Sequence, residues 1–160
     1  MSRLKLASLT TWSIDGCARE AKCVKGLVIH YFRTREAILA ESAGALIAER
    51  ALRWSAALNT PGVDALDRLW DELARAATDG SGRALLELRF AGTAGAGFTL
   101  AQATDLVERL ARALDTPRDE LPAPAALGPI LEGYILALME SADPEGVKEA
   151  FFRYWLTYVK

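Results

Sequence analysis

Apolar residues recur at steps of three and four along most of this chain, which is the pattern of helices that bury one face. No segment alternates apolar and polar residues between hairpin turns. The pattern therefore predicts an all-α protein. Its clearest stretch is a long helix over residues 35–58, whose apolar positions are Ile38, Leu39, Ala43, Leu46, Ile47, Ala51 and Trp54.

Capping residues, prolines and glycines divide the chain into helices. Ser13, Thr34 and Asp143 are suited to N-cap positions, and Asp143 is followed by a proline at the first helical position. A glycine-rich segment over residues 91–97 separates two of the helices, and the prolines are expected between helices or at their edges. The predicted helices cover residues 14–21, 25–32, 35–58, 64–78, 83–90, 99–114, 125–141 and 144–158.

Length and composition restrict the class of protein. The 160 residues suffice for one domain, or for a small domain joined to a larger one, and 51% apolar with 25% charged residues is typical of a soluble globular protein. The longest stretch without formal charge, residues 90–104, is too short to span a membrane. The first residues lack the apolar core of a secretory signal, and two cysteines are too few for a disulfide scaffold. We therefore predict a cytoplasmic protein with no membrane partner.

The charge is unevenly distributed along the chain. Residues 1–35 carry seven basic and two acidic side chains, a net charge of +5, whereas the remaining residues carry twelve basic and nineteen acidic ones, a net charge of −7. A basic N-terminal part on an acidic body indicates an anionic partner, of which nucleic acid is the usual one. Charge alone is equally compatible with a solvated basic face.

The last two predicted helices are apolar around most of their circumference, which leaves more apolar surface than one small core covers. Two such antiparallel helices can pack on a symmetry-related copy as a four-helix bundle, and we predict a homodimer through them. The alternative is that both helices are central in a monomer. The predicted interface residues are Ile130, Tyr134, Phe151, Trp155 and Tyr158.

Four short motifs follow one another between residues 13 and 39: S-I-x-x-x-A-R-x-A at 13–21, K-G at 25–26, H-Y-F at 30–32 and R-x-R-E-A-I-L at 33–39. In order and spacing they resemble the helix-turn-helix of the tetracycline-repressor (TetR) family of transcriptional regulators. The resemblance implies a DNA-binding head, residues 1–36, joined by a long helix to a ligand-binding and dimerisation body, residues 37–160. It implies a regulator, most often a repressor, that binds operator DNA as a dimer and is released by a small molecule.

The resemblance places a recognition helix over residues 25–32. Its N-terminus would hold a phosphate through Lys25 and the amide of Gly26, and the missing side chain of Gly26 permits close approach to DNA. Val28 and Phe32 are expected to face the core of the head. The residues predicted to contact DNA are Lys25, Gly26, Leu27, His30, Tyr31 and Arg35.

Several positions depart from the family pattern. Lys22 replaces the usual turn glycine, Val24 the usual capping serine or threonine, and Ile29 a tyrosine that donates to phosphate. Only Met1 to about Ala7 is available for the first helix of the head, which is expected to be largely missing. These departures keep a second hypothesis open, that of a TetR-like scaffold that binds a small molecule or a protein and has lost operator binding.

The ligand of the body is predicted to be a small apolar or aromatic molecule, because sites in helical bodies are apolar pockets with few polar anchors. Arg89, beside the glycine-rich segment, is the candidate anchor for an anionic or carbonyl group; the alternative is that the aromatic residues are core and Arg89 is a surface residue. The candidate wall residues are Trp54, Trp70, Phe90, Phe98 and Tyr134.

The sequence contains no nucleophile–base pair, no phosphate-binding glycine loop and no cluster with metal-ligand spacing. We therefore predict neither an enzyme nor a cofactor or metal site, and His30, the one histidine, is given no metal role. Cys17 and Cys23 are interpreted as two small buried thiols, with a redox pair as the alternative.

Overall fold

The computed structural model describes residues 13–159, and this part of the chain is all-helical. None of its helices combines the length and the hydropathy needed to cross a membrane. One 3₁₀ turn, Arg118–Glu120, precedes the helix Pro124–Glu140, and another, Leu156–Tyr158, follows the helix Pro144–Trp155. The α-helices are α1 (Ile14–Glu20), α2 (Lys25–Phe32), α3 (Arg35–Ala57), α4 (Val63–Thr78), α5 (Ser81–Phe90), α6 (Leu100–Leu114), α7 (Pro124–Glu140) and α8 (Pro144–Trp155).

The predicted helices are confirmed within two residues, apart from the last, which ends at Trp155 and continues as the 3₁₀ turn. The three predicted N-caps are also confirmed. Ser13 accepts a hydrogen bond from the amide of Gly16 at 3.1 Å, Thr34 from that of Ala37 at 3.1 Å, and Asp143 from that of Gly146 at 3.0 Å. Local signals therefore set where these helices start.

One proline departs from its expected position. Pro129 lies inside α7, in its second turn, and not at a helix edge. Proline leaves the carbonyl four residues earlier, that of Ala125, without its helical donor. Both residues are exposed, so water can hydrate that carbonyl and the helix continues.

The larger of two apolar cores is built around α4, which packs against α3, α5, α7 and α8. Phe151 and Trp155 of α8 are completely buried in it, and the ring of Phe151 lies 5.4 Å from that of Trp70. The prediction that Phe151 and Trp155 form an intermolecular interface is therefore wrong, because their own chain covers both side chains.

The smaller core joins α1, α2 and the first half of α3 to α5. The long helix α3, about 35 Å at 1.5 Å per residue, contributes to both cores. Phe98, in the loop between α5 and α6, also packs against both. The smaller core therefore extends across residue 36, the predicted domain boundary, which stays a prediction.

In the turn between α1 and α2, a residue other than glycine adopts a backbone conformation that glycine favours. Lys22 has a φ of 53°, in the left-handed region that glycine occupies most easily. Val24, at the N-cap of α2, makes no side-chain capping hydrogen bond, as its replacement of a serine or threonine predicts. Val28 is buried and Phe32 half-buried, which confirms the inner face expected for α2. The prediction about Met1 to Ala7 lies outside the described residues.

Gly82 lies where α5 approaches its neighbours closely. A Cβ built at this position would lie 2.5 Å from Cγ2 of Ile135 on α7 and 2.7 Å from the carbonyl oxygen of Ala76 on α4. Backbone cannot retreat as a flexible side chain can, so any side chain here would push α5 off the larger core.

We expect Gly82→Ala to lower the free energy of unfolding by about 1–3 kcal/mol, the usual effect of overpacking. Gly44→Ala in α3 is the matched control, because a Cβ there meets nothing within 4 Å. It should raise the free energy of unfolding by about 0.5–1 kcal/mol through helix propensity. Urea denaturation measures both, and equal effects would contradict the close packing at Gly82.

Candidate functional site

A cleft of about 370 Å³ lies where the loop after α5 meets the first turns of α6 and α7. Arg89, near the end of α5, is the one charged side chain among the described residues that line it. The structure therefore brings together two of the predicted ligand-binding residues, Arg89 and Phe98. The remaining walls are apolar or small and are formed by Leu100, Ala103, Pro124, Ala125, Gly128 and Pro129.

Two glycines allow the anchor and the aromatic wall to take their positions. A Cβ at Gly97 would lie 2.8 Å from Nη2 of Arg89, and one at Gly128 would lie 2.9 Å from Cδ2 of Phe98. A methyl group at either position would displace the neighbouring side chain. The glycine-rich loop therefore has a packing role at this cleft.

Arg89 belongs to a charge cluster of three residues from three helices, and the other two members, Arg50 and Glu132, are buried behind it. Nη1 of Arg89 donates a hydrogen bond to Oε2 of Glu132 in α7. Nη1 of Arg50, in α3, lies 3.6 Å from Oε1 of the same carboxylate. Arg50 and Glu132 are only 4% and 5% exposed. We call Arg50, Glu132 and Arg89 the charge cluster.

Burial removes hydrating water from the charged groups of this cluster and so disfavours their charged forms. Loss of hydration lowers the pKa of Arg50 to about 10, although the negative charge of Glu132 acts in the opposite direction. Loss of hydration also raises the pKa of Glu132, although both arginines act in the opposite direction. Among the described residues, Nη2 of Arg50 and Oε1 of Glu132 have no hydrogen-bond partner. Perturbed, incompletely satisfied groups behind a cleft are typical of a functional site.

The sequence analysis did not identify Arg50 and Glu132, although a signal was present. Arg50 lies on the apolar stripe of α3, four residues before Trp54 and three after Ile47. Its guanidinium carbon is 5.6 Å from the ring centre of Trp54. A charged residue on a buried face needs a buried partner, and Glu132 is one of the few polar positions of α7.

The other predicted wall residues lie elsewhere. Trp54 is buried behind the cleft, with its ring 5.1 Å from that of Phe98. Trp70 and Tyr134 instead pack on Phe151 in the larger core, Tyr134 with its ring 5.2 Å away. Phe90 is 80% exposed and lines none of the described clefts. Trp70, Phe90 and Tyr134 are therefore corrected: they do not form walls of this cleft.

The residues predicted to contact DNA share one property. Lys25, Gly26, Leu27, His30, Tyr31 and Arg35 are all exposed, whereas Val28 between them is buried. Nζ of Lys25 lies 3.1 Å from Oδ1 of Asp15, and both side chains remain more than half exposed. A Cβ at Gly26 would meet nothing within 4 Å, so the packing of the chain itself does not require a glycine there.

The C-terminal helices retain part of the predicted interface. Ile130, Tyr134 and Tyr158 are half-buried at the edge of the larger core, unlike the buried Phe151 and Trp155. Between them on α7, Gly133 is exposed, and a Cβ there would meet nothing within 4 Å. Three of the five predicted positions therefore remain available to a second chain.

The two cysteines are free, and neither is fully buried. Cys17 and Cys23 are both half-buried at the edge of the smaller core, so their interpretation as buried thiols is only partly correct. Within residues 13–159, no group of three or more histidine, cysteine or acidic side chains is placed to hold a metal ion.

Comparison of the chain with models of protein families, with curated proteins and with solved structures finds no match.

We expect Glu132→Gln to lower the free energy of unfolding by about 3–5 kcal/mol, because it leaves two arginines without their shared counter-charge. The matched control is Glu149→Gln, which breaks an exposed pair with Arg153 on α8. It should cost less than about 1 kcal/mol. Equal losses in urea denaturation would show that the charge cluster does not hold the three helices together.

Proposed function

We propose that this protein is a TetR-like transcriptional regulator, most simply a repressor, that acts in the cytoplasm as a dimer. In this proposal α1 and α2 form the DNA-binding head, and a small molecule bound to the body releases the DNA. The observation that carries the proposal is the surface of α2. All six residues predicted from the sequence to contact DNA are exposed there or at the start of α3.

The chemistry of this surface supports contact with phosphates. Lys25 and Gly26 lie at the N-terminus of α2, where free amides and the helix dipole favour an anion. Lys25 is paired with Asp15, but an exposed pair contributes less than about 1 kcal/mol and readily exchanges for a phosphate. His30 and Tyr31 add donors near the other end of the helix.

The charge cluster connects the cleft to α3, the helix that packs against the proposed head. Arg89 lines the cleft, Glu132 binds it, and Arg50 pairs with Glu132 from α3. The first half of α3 packs against α1 and α2 in the smaller core. A ligand that binds one arrangement of α3 more tightly than another therefore shifts the population of head positions.

The outer face of α7 suits the proposed dimer. Its exposed and half-buried positions include no charged residue before Glu140, which lies at the end of the helix. Two copies of α7 and α8 would form a four-helix bundle with the same surface on both sides. The residues of this face are Ala126, Pro129, Ile130, Gly133, Tyr134 and Ala137.

One observation favours the alternative, a TetR-like scaffold that has lost operator binding. Four apolar or aromatic side chains are exposed along α2, and such a surface fits a protein partner. Ile29 cannot donate to a phosphate, and Val24 offers no capping oxygen. The exposed fractions are 74% for Val24, 44% for Leu27, 43% for Ile29 and 73% for Tyr31.

Lys25→Ala should weaken binding to any duplex and reduce the slope of log affinity against log salt by about one unit, since one phosphate contact is lost. The measurement is salt-dependent titration of a labelled fragment from the region upstream of the protein's own gene. Arg68→Ala on α4 removes an exposed positive charge outside both the proposed head and the proposed dimer bundle, and should change neither quantity. Unchanged binding by Lys25→Ala would reject the phosphate role of Lys25.

The same titration separates the two proposed functions. A regulator binds the upstream fragment more tightly than a random competitor of equal length, because base contacts add to phosphate contacts. The scaffold alternative predicts equal and weak binding of both fragments at physiological salt.

Gly133→Arg should convert the dimer into monomers, because it places a charge in the centre of the proposed α7 face. Both Gly133 and Gly44 in α3 are exposed, and a Cβ at either meets nothing within 4 Å, so Gly44→Arg is the matched control and should stay dimeric. Light scattering measures the mass of both variants. A dimer that persists in Gly133→Arg would remove α7 from the interface.

A further inference from the structure

We infer that the ligand of the cleft is a compact apolar carboxylate, held through its anionic group by Arg89. The inference rests on the proposed function only in taking this cleft as the ligand site. Four observations carry it: the free side of the Arg89 guanidinium, the helix ends around the cleft, the lack of an acidic side chain among the described residues that line it, and the apolar walls.

Arg89 has unused hydrogen-bonding capacity. Its Nη1 is bound to Glu132, whereas Nε and Nη2 make no hydrogen bond to any of the described residues. The side chain is 36% exposed and lines the cleft, unlike the buried Arg50. A guanidinium presents its donors in a planar fork that matches a carboxylate, and Nε and Nη2 form the edge of this fork that lies beside Gly97 and has no acceptor among the described residues.

Two helix N-termini lie at the same cleft. Leu100, the first residue of α6, and Pro124 and Ala125, the first residues of α7, all line it. Ala123, the N-cap of α7, has no side chain able to cap the helix. The N-terminus of α6 is satisfied by its own capping box of Thr99 and Gln102, and Pro124 has no N–H, so these helix ends add only the weak positive field of their dipoles to the charge of Arg89.

Arg89 is the charged group that the cluster presents to the cleft. Two guanidiniums, Arg50 and Arg89, share the one carboxylate of Glu132. The field of Asp79 also acts on Arg50, and Asp79 and Glu72 share Arg75, so Arg50 has further negative charge nearby. None of the described residues that line the cleft is acidic. An anion at the cleft therefore meets the charge of Arg89 without a competing carboxylate from these walls, whereas a cation would be repelled.

The remaining walls set the body of the ligand. Phe98, Leu100 and the two prolines, Pro124 and Pro129, offer apolar contact and no polar side-chain atom. The volume of about 370 Å³ lies near the lower limit of ligand pockets, which span roughly 300–1,000 Å³. An aryl or branched short-chain acid fits this space, whereas a long acyl conjugate does not.

The test compares 4-phenylbutanoate with its neutral amide by isothermal titration calorimetry on the full chain. The acid should bind about tenfold or more tightly than the amide, because a charge-assisted hydrogen bond replaces a neutral one. Arg89→Gln should abolish this preference. Arg83→Gln, an exposed arginine on the same helix that pairs with Glu87, should retain it.

Leu100→Asp provides a second variant that does not disturb the charge cluster. Leu100 is 72% exposed, so the variant should fold, and circular dichroism checks that it does. Both ligands should lose the apolar contact of Leu100, and the new negative charge at the cleft should weaken binding of the acid by about tenfold more than binding of the amide. Equal binding of acid and amide to the wild-type protein, or no binding of millimolar acid, overturns the inference. So does acid binding that Leu100→Asp weakens no more than amide binding.

The outcome is distinguishable from failure of the proposed function, which is measured on DNA. Acid preference in a protein that binds no operator would retain the carboxylate site and reject the regulator. Operator binding without acid preference would do the reverse.

Discussion

The buried carboxylate of Glu132 pairs with two arginines on different helices, and the relative positions of those helices depend on these ion pairs. Arg50 belongs to α3, Arg89 to α5 and Glu132 to α7, so a single side chain connects three helices. Buried ion pairs stabilise a fold less than apolar packing of the same volume. Their advantage is specificity, since any change in the relative position of these helices leaves a buried charge uncompensated. The cluster thus ties the relative positions of these three helices to one buried carboxylate.

The long helix α3 turns this local constraint into a property of the whole chain. Its first half belongs to the smaller core with α1 and α2, and its second half belongs to the larger core. Arg50 lies between the two halves, next to Trp54, which contacts the aromatic wall of the cleft. Side chains in a packed core do not move independently. A ligand at Arg89 and a duplex at α2 are therefore coupled through one rigid element in the proposed function.

Two exposed surfaces of the chain carry several apolar side chains. One is the outer side of α2, with Val24 and Tyr31 each more than 70% exposed, and the other is the uncharged face of α7 around Gly133. Contiguous exposed apolar patches typically mark surfaces that meet a partner. In the proposed function the second surface meets another copy of the chain, since small residues allow two helices to approach closely. The first surface would meet base edges and sugars in a groove, or a protein in the alternative function.

The sequence determined the features that depend on near neighbours. Helix positions, the caps at Ser13 and Thr34 and the buried side of α2 follow from periodicity and from residues within one turn. Only the tertiary structure decided which apolar helix faces pack against each other. Phe151 had the pattern of an interface residue, but packing placed it in the core. Arg89 and Glu132 are 43 positions apart, and no local rule brings them together. Periodicity predicts that a side chain is buried, whereas the residues that it contacts depend on how all the helices pack together.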